Sequence, residues 1–279
     1  LCSWLSPSLS IVIMKIHFDL ISDLHVDSWD EEFSWESKAT SPYAVVIGDV
    51  SRERADVRPV LQEIAKHYMM TMYVDGNDEH RWGLDNLKES YATLKEDIGE
   101  IKNFIFLQDD CLVIDNVAFV GTNGWCSYDF GLGDSSQAYM DCKQWVQSTY
   151  KISMYATQQV EAMAMSDAGF LCRTVKKLQI HPDIKKIVML SHFVPDARLL
   201  KHDVHLDSTH RLGTTGNSWL TQCIDEDLEK KIDTWCFGHY HSDIEMHIDG
   251  IRYINNARGR GGTDWCKPVY YPKRLEIDF

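Results

Sequence analysis

The sequence predicts an α/β protein in which polar side chains follow the carboxyl ends of buried strands. Short apolar, β-like stretches alternate with helical periodicities early in the chain, and a β-rich half follows. Ligands of open α/β sheets bind outside the carboxyl ends of the strands. Five polar clusters stand at such positions: Asp23-Leu24-His25, Gly48-Asp49, Gly76-Asn77, Ser191-His192 and Gly238-His239-Tyr240-His241.

The first part of the chain alternates strands with helices. Apolar runs that end in a polar cluster indicate strands, and apolar residues at a spacing of three and four indicate helices. Gly99 marks the end of the second helix. The predicted elements are, in order, strands over 15–21 and 43–47, a helix over 55–68, a strand over 69–74 and a helix over 84–98.

The second part is richer in strands and contains one long helical stretch. Asp115-Asn116 and Asp249-Gly250 are hairpin signals. Met163 and Met165 in the helical stretch are expected in the core. The predicted elements are strands over 104–107, 111–114 and 117–121, a loop over 121–136, at least two helices over 138–178, a strand over 186–190, a loop over 194–217, a helix over 225–231 and strands over 234–237, 244–248, 251–254 and 275–279.

The length of 279 residues fits one large domain, or a domain with an insertion. We expect a single domain over 14–279, with a helical insertion at about 138–178 that controls access to the site. Met14-Lys15-Ile16 has the character of a natural start, so residues 1–13 are expected to be non-native or an extended N-terminal segment. Residues 11–13 could alternatively extend the first strand.

Composition bounds the classes of function. Hydrophobic residues make up 44% of the chain, which allows a sizeable core. The net charge of −14 argues against a general binder of nucleic acid or of membrane surfaces, because phosphate backbones require basic patches. The eight cysteines include no CxxC pair, so we expect free thiols and a cytoplasmic protein. No apolar stretch reaches the length of a transmembrane helix.

The five clusters contain the side chains that two adjacent divalent metal ions require. They supply two Asp, one Asn and four His, which suit manganese, iron, zinc or nickel. Asp49 is a lone carboxylate whose two oxygens are fit to bridge two ions. Two metals roughly 3.5–4 Å apart can clamp a phosphoryl group and supply a nucleophilic hydroxide near neutral pH.

The order DxH, GD, GN, H and GHxH resembles the calcineurin-like metallophosphoesterase superfamily, from about Lys15 to Phe279. The stretch from Tyr73 to His80, YVDGNDEH, is similar to the strand and GNHE sequence of that family. The resemblance implies a two-sheet β-sandwich flanked by helices, in four αββα layers. It also implies hydrolysis of phosphate monoesters or diesters by a hydroxide that bridges the metals.

The resemblance implies a ligand set for each ion. One ion would be bound by Asp23, His25 and His241, and the other by Asn77, His192 and His239, while Asp49 would bridge them. The expected cofactors are two divalent metal ions, with Mn²⁺ first and iron, zinc or nickel as alternatives.

This chain departs from the family pattern at one catalytic position. The family usually has His directly after the Asn, where it contacts the phosphate and protonates the leaving group, and this chain has Asp78. Either Asp78 is protonated, or His80 takes part, or the leaving group needs no acid. We expect Asp78 to be ionised, which favours esters with good leaving groups and mildly favours phosphodiesters. Asp78 and His80 are the candidate catalytic residues.

Several neighbouring residues allow two interpretations. Glu79 is either a hydrogen-bond acceptor that orients the metal ligands or a substrate contact. For His80 and Arg81 a solvated loop is favoured over contact with the substrate phosphate. Three aromatic residues could stack on a ring of the substrate or pack in the core. They are Trp125, Tyr128 and Phe130.

Residues further along the chain are assigned to loops. His202, His205 and His210 have irregular spacing, which favours a surface loop over the site rather than another metal site. Asn256 and Arg258 are similar to an Asn-x-Arg-Gly stretch of the family, and we expect them to support a loop.

The leading hypothesis is therefore a dinuclear metal-dependent phosphohydrolase that acts on a small phosphate ester or a nucleotide. A metal-bound, non-catalytic protein-interaction module of the same fold is the alternative, although no predicted ligand is missing. A nuclease is a third hypothesis, against which the lack of a basic stripe argues.

Overall fold

The computed structural model describes residues 14–200, 209–263 and 265–279. The expectations for residues 1–13, His202 and His205 therefore lie outside the described residues.

Two β-sheets form the centre of the structure. The strands are β1 (Lys15–Ser22), β2 (Tyr43–Ile47), β3 (Met70–Val74), β4 (Phe104–Phe106), β5 (Asp110–Ile114), β6 (Val117–Thr122), β7 (Lys186–Ser191), β8 (Ile232–Phe237), β9 (Glu245–Ile248), β10 (Ile251–Asn255) and β11 (Lys273–Asp278). The first sheet has the order β11-β1-β2-β3-β4, and the second has the order β5-β6-β7-β8-β10-β9. Strands β1 to β4 are parallel, as are β6, β7, β8 and β10. The carboxyl ends of the parallel strands in each sheet therefore point the same way.

The helices cover the outer faces of the sheets. They are α1 (Arg54–Ala65), α2 (Leu87–Ile98), α3 (Ser136–Tyr150), α4 (Met154–Gln179) and α5 (Thr209–Thr215). Side-chain caps mark three of their starts, since Asn86, Ser135 and Ser153 accept the backbone N–H groups of Glu89, Ala138 and Ala156 respectively.

Three apolar layers confirm the αββα sandwich. Phe18 of β1 meets Phe119 of β6 edge to face between the two sheets, with ring centroids 5.3 Å apart. A second layer lies between the first sheet and helices α1 and α2, with Val57 and Leu94 among its residues. The third lies between the second sheet and α4. A fold that buries both faces of both sheets accounts for the continuous apolar strands in the sequence.

The structure corrects three local predictions. Residues 225–231 do not form a helix, because a 3₁₀ helix over Leu220–Glu226 ends there and Asp227 accepts the backbone N–H groups of Lys231 and Ile232. The stretch predicted as a loop over 194–217 contains α5. Met163 packs against the core, but Met165 is 61% exposed because it lies on the outer face of α4.

The hairpins at Asp115-Asn116 and Asp249-Gly250 form as predicted, as the antiparallel pairs β5–β6 and β9–β10. The seven cysteines within the described residues are unpaired thiols. None of the described helices combines the length and the apolar character that crossing a membrane requires.

Candidate metal centre

The five polar clusters meet at one edge of the sandwich. Each cluster stands at the carboxyl end of a strand, namely β1, β2, β3, β7 and β8. Two groups of potential metal-ligating atoms result, in each of which all the atoms lie within 4.8 Å of one another. The first group is Asp23, His25, Asp49 and His241, and the second is Asp49, His192 and His239.

Asp49 belongs to both groups. One of its carboxylate oxygens faces the first group and the other faces the second group. Its Oδ2 lies 3.7 Å from His25 Nε2, and its Oδ1 lies 3.4 Å from His192 Nε2. Asn77 Oδ1 approaches His192 Nε2 to 3.2 Å, which adds the amide to the second group. In the first group, His241 Nε2 lies 2.8 Å from His25 Nε2 and 3.6 Å from Asp23 Oδ1. All seven predicted side chains are therefore together.

The electrostatic environment fits cations. Burial lowers the pKa of all four imidazoles, of His239 to about 4 and of His241 to about 2, which keeps them in the neutral form that binds metals. Burial also raises the pKa of Asp23 to about 7 and that of Asp49 well above its ordinary value. Buried carboxylates are normally paired or bound to metals. The donor set of Asp, Asn and neutral His fits divalent ions of the manganese, iron and zinc kind.

Glycines in the clusters let the loops approach one another. A Cβ added to Gly48 would lie 2.5 Å from the ring of His192, and one added to Gly238 would lie 2.6 Å from Ser22 Oγ. Gly48 also has a φ of +56°, in the left-handed region. The residues that follow these glycines, Asp49 and His239, also adopt left-handed backbone conformations, with φ values of 49° and 62°. Left-handed non-glycine residues cluster at functional sites, where the surrounding structure holds them.

Glu79 proves to be a structural acceptor. It accepts the backbone N–H groups of Asp49, Val50 and Gly76 at 3.1, 2.6 and 2.7 Å. It thereby joins the loop after β2 to the loop after β3, and it is 2% exposed. Of its two interpretations, the structure supports the orienting one.

His80 does not face the site. Its imidazole is fully buried, with Nε2 2.8 Å from Asp75 Oδ2 and Nδ1 2.9 Å from Ser90 Oγ. This has the connectivity of a Ser-His-Asp triad, but Ser90 is 4% exposed and the ring packs on Tyr91. The proposals that His80 acts as the catalytic acid and that it lies in a solvated loop both fail, because tertiary packing turns the ring inward.

Asp78 lies between two arginines and His25, which belongs to the first group of metal-ligating residues (the residues of both groups are called metal-group residues below). Its Oδ2 is 3.3 Å from His25 Nδ1 and 3.3 Å from Arg52 Nε, and it also accepts from Arg260 Nη2. Burial alone would raise the pKa of Asp78, but the His25 contact and the charges of Arg260 and Arg52 outweigh burial and hold that pKa well below its usual range. A proton on His25 Nδ1 leaves Nε2 free for an ion.

A cavity of about 250 Å³ opens onto the cluster. Arg52, Arg81 and Arg260 line it together with Asp49 and Asn77. The three arginines outnumber the two carboxyl groups, those of Asp49 and Asp78, that line the cavity with them. Guanidinium groups match phosphate geometry well.

Sequence reasoning missed Arg52 and Arg260. Arg52 follows Gly48-Asp49 closely, and Arg260 stands between two glycines in the loop after β10. A glycine-flanked arginine near a site loop was the only available signal. Arg258, which was expected to support a loop, packs over the ring of Trp29 at 4.1 Å, and the Nδ2 of Asn256 donates to the carbonyl of Leu20 at 2.9 Å.

The remaining candidates divide between cavity and core. Trp125 and Tyr128 line the cavity, whereas Phe130 packs in the core with Val194 and Leu220. His210 stacks on Trp145 of α3 with ring centroids 5.8 Å apart, away from both ligand groups.

The chain has the αββα sandwich of calcineurin-like folds, and Asp and His side chains meet at the ends of its strands. The phosphopantetheinyl hydrolase PptH of Mycobacterium tuberculosis shares this fold, with a TM-score of 0.69 and 15% sequence identity over 94% of this chain and 96% of that chain. A protein described as a candidate 5′-nucleotidase from Staphylococcus aureus, solved with alpha-ketoglutarate, gives a TM-score of 0.46 and 13% identity over 88% of this chain and 49% of that chain.

In sequence, the chain is 21% identical over 264 residues to the uncharacterized protein L509 of Acanthamoeba polyphaga mimivirus, covering 86% of this chain and 89% of that protein. No protein-family model matches the sequence.

The raised carboxyl pKa values predict how pH affects the stability of the metal-free protein. Above about pH 7 the unfolded chain has released the protons of Asp23 and Asp49. The folded protein is still releasing the proton of Asp23, whose pKa is about 7, and still binds the proton of Asp49, so stability falls as pH rises. Histidines contribute little in this range, because they are already neutral in both states. Thermal melts of EDTA-treated protein between about pH 7 and 9 should show this decline.

Manganese should remove the slope, because bound cations favour the ionised carboxylates. A metal-free protein whose stability rises over this pH range would contradict the burial of ionisable carboxyls at the site.

Proposed function

We propose that this protein hydrolyses phosphate esters with two divalent metal ions, of which Mn²⁺ is the expected species. One ion would be held by Asp23, His25 and His241, and the other would be held by Asn77, His192 and His239. Asp49 would contact both ions. The observation that carries the proposal is the pair of Asp49 oxygens, each of which faces a different ligand group. The fold shared with a phosphopantetheinyl hydrolase supports hydrolysis as the reaction class.

When bound, such ions supply an activated water and stabilise the charge that develops on a phosphoryl group. The side chains around them would bind and orient the ester. Arg81, Arg52 and Arg260 line the same cavity and can donate to phosphoryl oxygens. Asp78 holds the last two guanidinium groups at the edge of the site.

Asp78 is ionised and paired, so it has no proton for a leaving group. Esters whose leaving groups depart without protonation are therefore the favoured substrates. Phosphodiesters are mildly preferred on this argument, because the paired carboxylate stands where the family has an acidic imidazole.

The test combines metal content with turnover. The purified protein should contain close to two metal ions per chain after incubation with Mn²⁺, as measured by inductively coupled plasma mass spectrometry. It should then hydrolyse bis(4-nitrophenyl) phosphate, and EDTA should stop the reaction. A metal-loaded protein that is inert towards aryl phosphate mono- and diesters would support the non-catalytic interaction module instead. Cleavage of single-stranded DNA in preference to these esters would support the nuclease.

Asp78 stands where the family usually has a histidine that acts as a general acid, and this difference gives a prediction about leaving groups. Asp78→His should raise the ratio of kcat/KM for an alkyl phosphate to that for an aryl phosphate by at least about tenfold, since general acids contribute roughly 10²–10⁴-fold. The ratio is the readout, because the substitution also removes the partner of two arginines. Asp78→Asn is the matched control, as it loses the same ion pairs and provides no acid. An unchanged ratio for Asp78→His at saturating Mn²⁺ would contradict the assignment.

A further inference from the structure

The cavity beside the metal-group residues has two chemically different ends. One end carries Asp49, Asn77, Asp78 and the three arginines, and Asp78 pairs with Arg52 and Arg260. The other end is lined by aliphatic and aromatic side chains. Those used below are Leu84, Trp125, Val146, Ile152, Val160 and Phe193.

The apolar end is built by the helical stretch between β6 and β7. Val146 comes from α3, Val160 comes from α4, and Ile152 lies between the two helices. An ion pair between Lys143 and Glu161, 2.9 Å apart, ties α3 to α4. The apolar end is therefore a folded part of the protein, and an ion pair joins the two helices that form it.

Trp125 is fixed at the apolar end. The backbone N–H groups of Gly124 and Trp125 donate to Asp167 of α4 at 2.8 and 3.2 Å. The indole Nε1 donates to the hydroxyl of Tyr91 at 2.8 Å. The ring also packs against Phe193 and His80 and is 2% exposed, so Trp125 forms a fixed part of the cavity wall.

Among the described residues, few polar side-chain atoms belong to the apolar end. Besides Trp125 they are those of Cys126, Tyr128 and Tyr150, whereas Thr214 contacts His239 through its backbone and donates its hydroxyl to the carbonyl of His210 at 2.9 Å. A sugar placed there would bury more hydroxyl groups than these atoms can pair, which costs free energy for each unpaired group. An apolar group of the same size would only gain from burial.

Arg81, one of the three arginines of the charged end, lies beside two aromatic rings. Its guanidinium lies 5.6 Å from the ring centroid of Trp82 and 5.8 Å from that of Tyr150. Tyr150 and Arg81 both line the cavity. A ligand that joins an anionic group to an apolar group would place the junction beside these residues.

We infer that the organic part of the substrate is compact and apolar, an aryl or short branched alkyl group, and not a nucleoside. The inference rests on the proposed function, because it takes the charged end as the site of the phosphoryl group. The cavity volume of about 250 Å³ lies just below the range of roughly 300–1,000 Å³ that is usual for ligand pockets, which fits a group of this size.

The test measures binding and needs no turnover. Isothermal titration calorimetry on the Mn²⁺-loaded protein compares three probes of similar charge, namely methylphosphonate, benzylphosphonate and ribose 5-phosphate. Benzylphosphonate should bind about 10- to 100-fold more tightly than methylphosphonate, the factor expected from burying an aromatic ring. Ribose 5-phosphate should bind no more tightly than methylphosphonate.

Variants of Val160 test whether the preference for benzylphosphonate arises at the apolar end. Val160→Asp should reduce the preference for benzylphosphonate over methylphosphonate to less than about threefold. The ratio of the two affinities is the readout, because the added carboxylate repels both anions. Val160→Thr, which keeps the shape of the side chain, serves if the first variant does not fold and should reduce the preference in part. Met165→Asp, on the exposed face of the same helix, is the matched control and should change neither affinity.

The outcomes separate this inference from the proposed function. Equal binding of the three probes, or tighter binding of ribose 5-phosphate, would overturn the inference even if the protein hydrolyses phosphate esters. A preference for benzylphosphonate that survives Val160→Asp would also overturn it. If the protein shows the predicted binding preference but hydrolyses no phosphate ester, the inferred class of ligand would stand and the catalytic proposal would be disproved.

Discussion

Asp49→Asn is expected to remove phosphoesterase activity almost completely, by about 10³-fold or more in kcat/KM, because metal-ion catalysis supplies several kcal/mol of transition-state stabilisation. The asparagine amide keeps an oxygen that can accept the backbone N–H of Asp78, which Asp49 accepts at 2.8 Å. It loses the negative charge and the second oxygen that faces the other ligand group. Bound manganese should fall from two ions per chain to one or fewer.

The same substitution should not destabilise the metal-free protein. Burial raises the pKa of Asp49 well above its ordinary value, so an ionised carboxylate there is costly without a cation and a neutral amide is not. Thermal melts in EDTA should therefore give a Tm for Asp49→Asn at least as high as that of the parent protein. Asp183→Asn is the control, since this side chain is 80% exposed, and it should retain full activity. Retention of both metals and of activity by Asp49→Asn would refute the bridging role.

Gly76→Ala should damage the site through sterics alone. A Cβ at this position would lie 2.3 Å from Asp49 Oδ1 and 2.4 Å from the backbone nitrogen of Asp49. Backbone atoms cannot yield as the tip of a flexible side chain can, so the loops after β2 and β3 must move apart. We expect a loss of about 1–3 kcal/mol in stability from overpacking. Misplacement of the carboxylate by about 1 Å should lower kcat by about 10²-fold.

Gly169→Ala in α4 is the matched control for this steric effect. Neither glycine has a φ in the left-handed region, so both substitutions test space and not backbone strain. The Cβ at Gly169 would meet only the end of the Arg173 side chain, at 3.0 Å, and alanine should stabilise the helix by about 0.5–1 kcal/mol. A fully active, metal-replete Gly76→Ala protein would show that the loops adapt and that their close approach is not needed.

The convergence of the metal-group residues was predictable because it follows from topology. Parallel strands place their carboxyl ends at one edge, so polar residues after β1, β2 and β3 meet regardless of their separation in sequence. The same reasoning brings His192 and His239 together after β7 and β8. Short apolar runs before each cluster were sufficient to locate these strands.

The orientation of individual side chains was not predictable in this way. His80 is next to Glu79 in sequence, yet its ring is buried against Asp75 and Ser90 because the 3₁₀ helix over Asp78–Asn86 turns it inward. Arg260 reaches Asp78 from a loop after β10, and nothing local in either segment indicates that contact. Such pairs depend on how distant loops pack.

The sequence by itself determined the class of fold, the strand ends that carry chemistry and the donor atoms available there, because strand periodicity and residue type are local properties. Tertiary structure alone decided that Asp49 divides its oxygens between two ligand groups, that Asp78 is held by Arg52 and Arg260, and that α3 and α4 close an apolar end onto the cavity. These features depend on distances between segments far apart in the chain, which are set only when the two sheets and their helices pack.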